Sequence, residues 1–152
     1  MGMKTLLIIA FMAVFCTACQ LDDEYIYNVD PRLEYYVDRF YTEADSRKIS
    51  LQRIDLTVSV MPIIGDQFTH GVTDHENNSI TINESFFLYS DSSQIEYCVF
   101  HEMGHLLLNR RHEPLQNYSI MIPEDWYSSD YELYPNKRQE LINELFKPHK
   151  IQ

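Results

Sequence analysis

The chain has 152 residues, enough for one domain with a hydrophobic core, and its 45% hydrophobic and 13% aromatic content argues against disorder. Its 12 basic and 23 acidic side chains give a net charge of -11, which opposes binding to the phosphate backbone of nucleic acid. We therefore expect a single folded domain with no nucleic-acid partner.

Residues 1–18 have the organisation of a signal peptide. Lys4 precedes an apolar run over residues 6–15, and a small-residue pair then leads to Cys19. The apolar run has about half of the roughly 20 residues that a transmembrane helix needs, so a permanent span is not expected. Removal of residues 1–18 deletes one basic side chain and gives the mature chain a net charge of -12.

The pair Ala18-Cys19 resembles the lipobox of bacterial lipoproteins, although Cys16 stands where that motif usually has leucine. The resemblance implies that Cys19 is lipidated and that the protein is exported and anchored to the bacterial outer membrane. The acidic cluster at residues 22–24 resembles the tag of lipoproteins displayed on the cell surface of some Gram-negative bacteria; a solvated tether is the alternative explanation. With Cys19 acylated, Cys98 is the one remaining thiol of the mature chain, which precludes an intramolecular disulfide.

Residues 19–29 are predicted to be an acidic tether and residues 30–152 a single domain. Asp30 and Pro31 are typical of the N-cap and first turn of a helix, and apolar residues then recur with helical spacing to about Arg47. The first element of the domain is therefore predicted to be an amphipathic helix.

Three strands are predicted next. Apolar and polar residues alternate strictly over residues 54–60, which indicates a half-buried strand. Residues 71–74 and 79–83 have strand composition and flank a polar four-residue turn, which predicts a hairpin with Ile80 and Ile82 facing inward.

Two further helices complete the predicted order. The first begins near Ser93, which has capping-box spacing to Glu96, and continues to about Leu108. The last begins at Asn136, which has a glutamine three residues later, and is ended by Pro148. This order of helix, strands, helix and helix predicts an α+β fold.

The sequence His101-Glu102-Met103-Gly104-His105 carries the predicted chemistry. Histidines four residues apart on a helix are one turn apart on the same face, so both can bind one Zn²⁺ at roughly 2.0–2.1 Å. Glu102 is displaced from that face but can take a proton from a zinc-bound water, whose pKa is lowered to about 7. Apolar flanks predict a buried helix whose histidines line a cleft, and a glycine there, which costs about 1 kcal/mol relative to alanine, predicts close packing at Gly104.

Residues 93–121 resemble the metzincin clan of zinc peptidases, in which a turn glycine, a third histidine and a methionine turn follow the active-site helix. The positions of that glycine and histidine hold Leu108 and Arg111 here. The next residues are Asn109, which readily adopts the left-handed conformation that ends a helix, and His112. One inserted residue thus restores the pattern, and the resemblance implies that His112 is the third zinc ligand; a basic surface patch with the adjacent arginines is the alternative.

The resemblance implies three further features. Met121 matches the methionine that packs beneath the imidazoles without binding metal, although a core methionine is the alternative. Residues 79–83 are implied to be the sheet edge beside the cleft, able to pair with an extended substrate. Pro123 stands where some relatives have a tyrosine that stabilises the transition state, which leaves four unranked candidates: Tyr118, Tyr127, Tyr131 and Tyr134.

Several other residues have less specific explanations. His70 and His75 flank the polar hairpin and are expected to be solvent-exposed, whereas Cys98 is expected in the core. Trp126 and its neighbouring tyrosines fit either a substrate pocket or a cover over the core.

Together these features predict a small metzincin-like zincin domain: a monomeric, lipid-anchored zinc metallopeptidase that acts on peptide or protein substrates. In one alternative, the third ligand is Glu124 or Asp125. In the other, the protein is a surface lipoprotein that binds metal or a protein partner without cleaving it, which the presence of Glu102 argues against.

Overall fold

The computed structural model describes residues 25–52, 54–65, 68–114, 118–123 and 129–148, with the backbone alone for residues 129–132. The predicted signal peptide and Cys19 lie outside these residues. The described chain forms four helices and a four-stranded mixed sheet, which confirms the α+β class. The elements in chain order are β1 (Tyr27–Val29), α1 (Glu34–Ser46), β2 (Leu56–Met61), β3 (Gly71–Asp74), β4 (Ser79–Asn83), α2 (Glu84–Tyr89), α3 (Ser92–Leu108) and α4 (Ser129–Leu145).

The sheet has the strand order β1-β2-β4-β3. β2 pairs in parallel with β1 and with β4, whereas β3 is antiparallel to β4. The hairpin of β3 and β4 has its predicted bounds, and Ile80 and Ile82 are fully buried as expected. β2 starts at Leu56 and keeps the predicted alternation, which places three buried side chains on one face: Leu56, Val58 and Val60.

β1 lies in the segment that was expected to be a tether. Its backbone pairs with β2 in the register Tyr27↔Leu56, and the amide of Ile26 donates to a carboxylate oxygen of Asp55 at 3.0 Å. The side chain of Val29, the last residue of β1, is buried. The folded domain therefore begins ahead of Asp30. The sequence did not predict β1 because three residues are too few to show a periodicity and the strand is stabilised by its pairing with β2.

The predicted start of the first helix was wrong by several residues. α1 begins at Glu34, and Leu33 at its N-cap provides no side-chain cap. The backbone amide of Asp30 instead donates to the carbonyl of Val58 at 2.7 Å, and its carboxylate forms an ion pair with Arg32 at 2.6 Å. Asp30 thus extends the sheet contact of β1 and precedes the helix without capping it.

α3 is the central element, and every residue from Ile95 to Gly104 is buried. The ring of Phe100 packs on Phe40 of α1 with the centroids 5.2 Å apart, and Phe40 in turn packs on Phe146 at 5.0 Å. A helix enclosed in this way exposes its polar residues only where the surrounding layers leave a gap. None of the described helices is both long enough and apolar enough to cross a membrane.

The caps of α3 and α4 differ from those predicted. Asp91 caps α3 and forms the capping box with Gln94, because Glu96 is engaged elsewhere: its carboxylate binds Arg138 at 2.7 and 2.9 Å and Arg39 at 3.1 Å. α4 begins at Ser129, well before Asn136, and continues through Pro135. The contacts of Arg138 with Glu96 anchor this helix to α3, so tertiary packing overrides the local preference of proline.

Candidate metal centre

Three histidine side chains converge on one point. Nε2 of His101 lies 3.0 Å from Nε2 of His105 and 3.2 Å from Nε2 of His112, and the last two atoms are 3.1 Å apart. Tetrahedral zinc with bonds of roughly 2.0–2.1 Å requires ligand nitrogens about 3.3 Å apart. The triangle is close to that size, so the three histidines can hold one metal ion.

In His101 and His105, the hydrogen bond made by Nδ1 fixes the tautomer of the ring. Nδ1 of His101 is 2.7 Å from the carbonyl oxygen of Ile120, and Nδ1 of His105 is 2.7 Å from that of Arg110. A carbonyl only accepts, so each Nδ1 carries the proton and donates it. The Nε2 lone pairs of two neutral rings then face each other at 3.0 Å, an arrangement that a bound cation stabilises.

Burial keeps these rings neutral. His101 is 1% exposed, and its removal from water lowers its pKa to about 3. Burial also lowers the pKa of His105. A metal ion therefore meets at least two ligands that need not lose a proton to bind it.

No family model matches this chain, and neither a curated protein nor a solved structure does. The centre is therefore defined by its own geometry.

His112 reaches the cluster through the end of α3. The helix continues to Leu108, and Asn109 then adopts the left-handed conformation with φ 50° and ψ 35°. The next amide, that of Arg110, donates back to the carbonyl of Gly104 at 3.0 Å and turns the chain. The predicted helix end at Asn109 is confirmed, and it returns His112 to the histidines of the helix.

Glu102 points into the same cleft and is held by β3. It is 3% exposed, and its Oε2 accepts a hydrogen bond from the Thr73 hydroxyl at 2.5 Å. Gly71, two residues earlier on the strand, provides the space, because a Cβ there would lie 2.8 Å from Cγ and 2.9 Å from Oε1 of Glu102. Alternate residues of a strand share a face, so Gly71 makes room for the carboxylate and Thr73, on the same face, binds it.

Met121 packs against the helix between its two histidines. Both Met121 and Gly104 are buried, and a Cβ on Gly104 would lie 2.7 Å from Sδ of Met121 and 3.0 Å from Cδ1 of Leu145. The expectation of close packing at Gly104 is confirmed. The resemblance implies that Met121 packs beneath the imidazoles without binding metal, and this role stays a prediction.

We expect Gly104→Ala to lower the free energy of unfolding by up to about 2 kcal/mol. Alanine gains about 1 kcal/mol as a better helix former, but overpacking typically costs about 1–3 kcal/mol and the neighbouring Met121 is fully buried. Urea denaturation of the metal-free protein measures the difference. In a Met121→Ala background the contact with Sδ is gone and only that with Leu145 at 3.0 Å remains, so there the same substitution should cost less. A stabilised Gly104→Ala single variant contradicts the packing.

The three histidines and Glu102 line an open cleft of about 730 Å³. β3, not β4, forms its wall: Gly71, Val72 and Thr73 contact the cleft, and β3 is the outer strand of the sheet. The expectation that residues 79–83 form the edge beside the cleft was therefore wrong. β4 is an inner strand, because β3 pairs with one of its edges and β2 pairs in parallel with the other.

The structure separates the remaining histidines. His75 is exposed and lines the cleft, as a loop residue can. His70 was expected to be exposed, but it is half-buried because its ring stacks on Phe86 with the centroids 4.2 Å apart, and burial lowers its pKa.

Other candidates are placed away from the centre or not at all. Cys98 is fully buried in the core as expected. Tyr134 is also buried and donates from its hydroxyl to Glu96 at 3.1 Å, whereas Tyr118 is exposed with Lys137 over its ring at 4.8 Å. Several predicted candidates lie outside the described side chains: Glu124, Asp125, Trp126, Tyr127 and Tyr131.

Sequence reasoning missed four participants: Gly71, Thr73, Arg110 and the carbonyl of Ile120. A glycine inside a strand often marks close approach of another group, so Gly71 carried a usable signal. Arg110 was weighed only as part of a basic surface patch, but it is 4% exposed and its side chain binds the end of α4. That role depends on a contact with residues more than 30 positions away, and no local pattern reports it.

Proposed function

We propose that this protein is a zinc-dependent metallopeptidase. The observation that carries the proposal is the convergence of the Nε2 atoms of three histidines beside a buried carboxylate, all in one open cleft. Three imidazole ligands favour zinc over calcium or magnesium, which prefer oxygen ligands. A protein that only stores metal has no need of Glu102, held by Thr73 at the wall of the cleft.

His101, His105 and His112 would hold the ion at the wall of the open cleft. Zinc in such a site acidifies water and polarises a carbonyl group. Glu102 would accept a proton from the attacking water and later deliver it to the leaving amine. The Thr73 hydroxyl donates to Oε2 of Glu102 at 2.5 Å and so orients the carboxylate at the wall of the cleft.

The resemblance to metzincins supports the same proposal. The helix with its two histidines, the left-handed residue Asn109, the third histidine and Met121 follow in that clan's order, with one residue added before the helix ends. We accordingly propose a metzincin-like domain, although its sheet departs from the expected edge.

The setting is also a proposal, drawn from the sequence. Ala18-Cys19 favours an exported lipoprotein attached to the outer membrane of a bacterium through Cys19, and the acidic cluster at residues 22–24 is compatible with display at the cell surface. The substrate would be a peptide or protein met in that compartment, cleaved by a monomer. The net charge of -11 opposes nucleic acid as a partner.

The test is a broad peptide library incubated with the purified protein and one equivalent of zinc, with products identified by mass spectrometry. We expect cleavage that a chelator abolishes and added zinc restores. An intact library in the presence of bound zinc would reject the peptidase and favour a metal- or partner-binding role.

A further inference from the structure

The carbonyl groups that orient His101 and His105 lie in segments without regular structure. Arg110 follows the end of α3, and Ile120 lies in a turn before α4. Neither carbonyl is held in place by a helix or a strand ladder, yet each accepts a hydrogen bond of 2.7 Å from a histidine Nδ1. Groups outside these segments must therefore fix their positions.

A single carboxylate, that of Glu144 on α4, binds both segments. Its Oε1 accepts from Nη2 of Arg110 at 2.7 Å, and its Oε2 accepts from the hydroxyl of Ser119 at 2.7 Å. The Ser119 oxygen in turn accepts from the amide of Met121 at 3.1 Å, which closes the turn around Ile120. Glu144 thus holds the residue that presents one carbonyl and the residue next to the other.

Further hydrogen bonds connect the segment after α3 to α4 and to the turn around Ile120. Nη1 of Arg110 donates to the carbonyl of Leu145 at 2.7 Å, and the amide of Glu113 donates to the carbonyl of Met121 at 2.8 Å. The Arg110 side chain is only 2% exposed, so its charge depends on Glu144, with Glu113 more distant at 3.3 Å. Loss of the Glu144 carboxylate leaves a buried guanidinium poorly compensated, and the segment should move.

We propose that Glu144 is a positioning residue for the metal centre. Its carboxylate places the carbonyls of Arg110 and Ile120 where His105 and His101 donate to them, and so sets the zinc affinity from α4. Hydrogen-bond partners of metal-binding histidines fix the tautomer and ring orientation, and their loss typically weakens metal binding about 10–100-fold. This inference rests on the metal-binding part of the proposed function and is independent of peptide hydrolysis.

The first experiment compares Glu144→Ala with Glu140→Ala. Glu140 is on the same helix, but its side chain is 79% exposed and its ion pair with Lys137 is 4.0 Å long. In competition with a chromophoric chelator, we expect Glu144→Ala to bind zinc about 10–100-fold more weakly than the wild type and Glu140→Ala to match it. Equal affinity of all three proteins overturns the proposal.

A second readout needs no metal. Long-range ¹H–¹⁵N spectra of the metal-free protein report which ring nitrogen carries the proton, and we expect His101 and His105 to be protonated at Nδ1 in the wild type. Ser119→Ala removes only the arm that supports Ile120, so His101 should show a mixture of tautomers while His105 stays unchanged. A general loss of packing would affect both rings alike.

These outcomes remain distinguishable if a variant or a premise fails. If Glu144→Ala does not fold, Ser119→Ala carries the test, and an unchanged His101 tautomer with unchanged zinc affinity overturns the inference. If the wild type binds no zinc, the proposed function fails, and the tautomers of the metal-free variants still decide whether Glu144 orients the histidines.

Discussion

Glu102→Gln should retain one zinc ion per chain and lose about 10²–10⁴-fold in the rate of peptide cleavage, the usual contribution of a general acid–base residue. The three histidines supply the ligand set without Glu102, so metal content should not change. Glutamine keeps the shape of the side chain and can still accept from Thr73, but it has no carboxylate to take the proton from water.

Glu76→Gln provides the matched control for this experiment, because Glu76 is an exposed carboxylate in the turn between β3 and β4. It should cleave the same peptides at the wild-type rate. Zinc content by atomic emission and cleavage rates by mass spectrometry measure the two properties separately. Full activity of Glu102→Gln would place the base elsewhere, and loss of zinc would make Glu102 a ligand.

His112→Ala should lower zinc affinity by more than the about 100-fold that loss of a supporting hydrogen-bond partner can cost, since it removes one of three direct ligands. Nε2 of His112 lies 3.2 and 3.1 Å from the other two ligand nitrogens, and alanine leaves that corner of the site empty. Peptide cleavage should fall with the loss of metal and recover in part at high zinc concentration.

His75→Ala is the control for this change, because His75 lines the same cleft but does not belong to the histidine cluster. Competition with a chelator should show wild-type affinity for it. If His112→Ala binds zinc as tightly as the wild type, the third ligand lies elsewhere, with Glu124 or Asp125 as the remaining candidates from the sequence.

Short-range patterns predicted the parts of the molecule that short-range physics determines. The hairpin of β3 and β4 has alternating side chains and a polar turn, and its bounds match the prediction. The end of α3 was also predictable, because few residues other than glycine adopt a left-handed conformation as readily as Asn109.

The errors occur where distant contacts decide. β1 exists because β2 offers it a parallel partner, and α4 continues through Pro135 because Arg138 is bound to Glu96. Ser93 and Glu96 have the spacing of a capping box, but Asp91 takes that role and Glu96 is used in a buried ion pair. Two local patterns competed there, and the tertiary contact decided between them.

In the candidate site, too, the features set by local spacing were predicted and those set by distant contacts were not. The two histidines of the helix and Glu102 were identified from their spacing alone, since one helical turn fixes their relative positions. Thr73 and Gly71 come from a strand some 30 residues earlier, and Glu144 from a helix more than 30 residues later. Nothing in the motif indicates what orients its side chains.

His101, His105 and His112 all fall within one short stretch of sequence, whereas Gly71, which makes room for Glu102, and Thr73, which binds it, belong to a separate hairpin. An unfolded chain therefore already contains all three candidate ligands and would bind zinc weakly, which would reduce the extra stability that the ion gives to the folded state. Under the proposed function, Glu102 would act as a base only after the hairpin docks on α3. Zinc content would then overstate the fraction of active protein, because zinc bound before the hairpin docks would be accompanied by no activity.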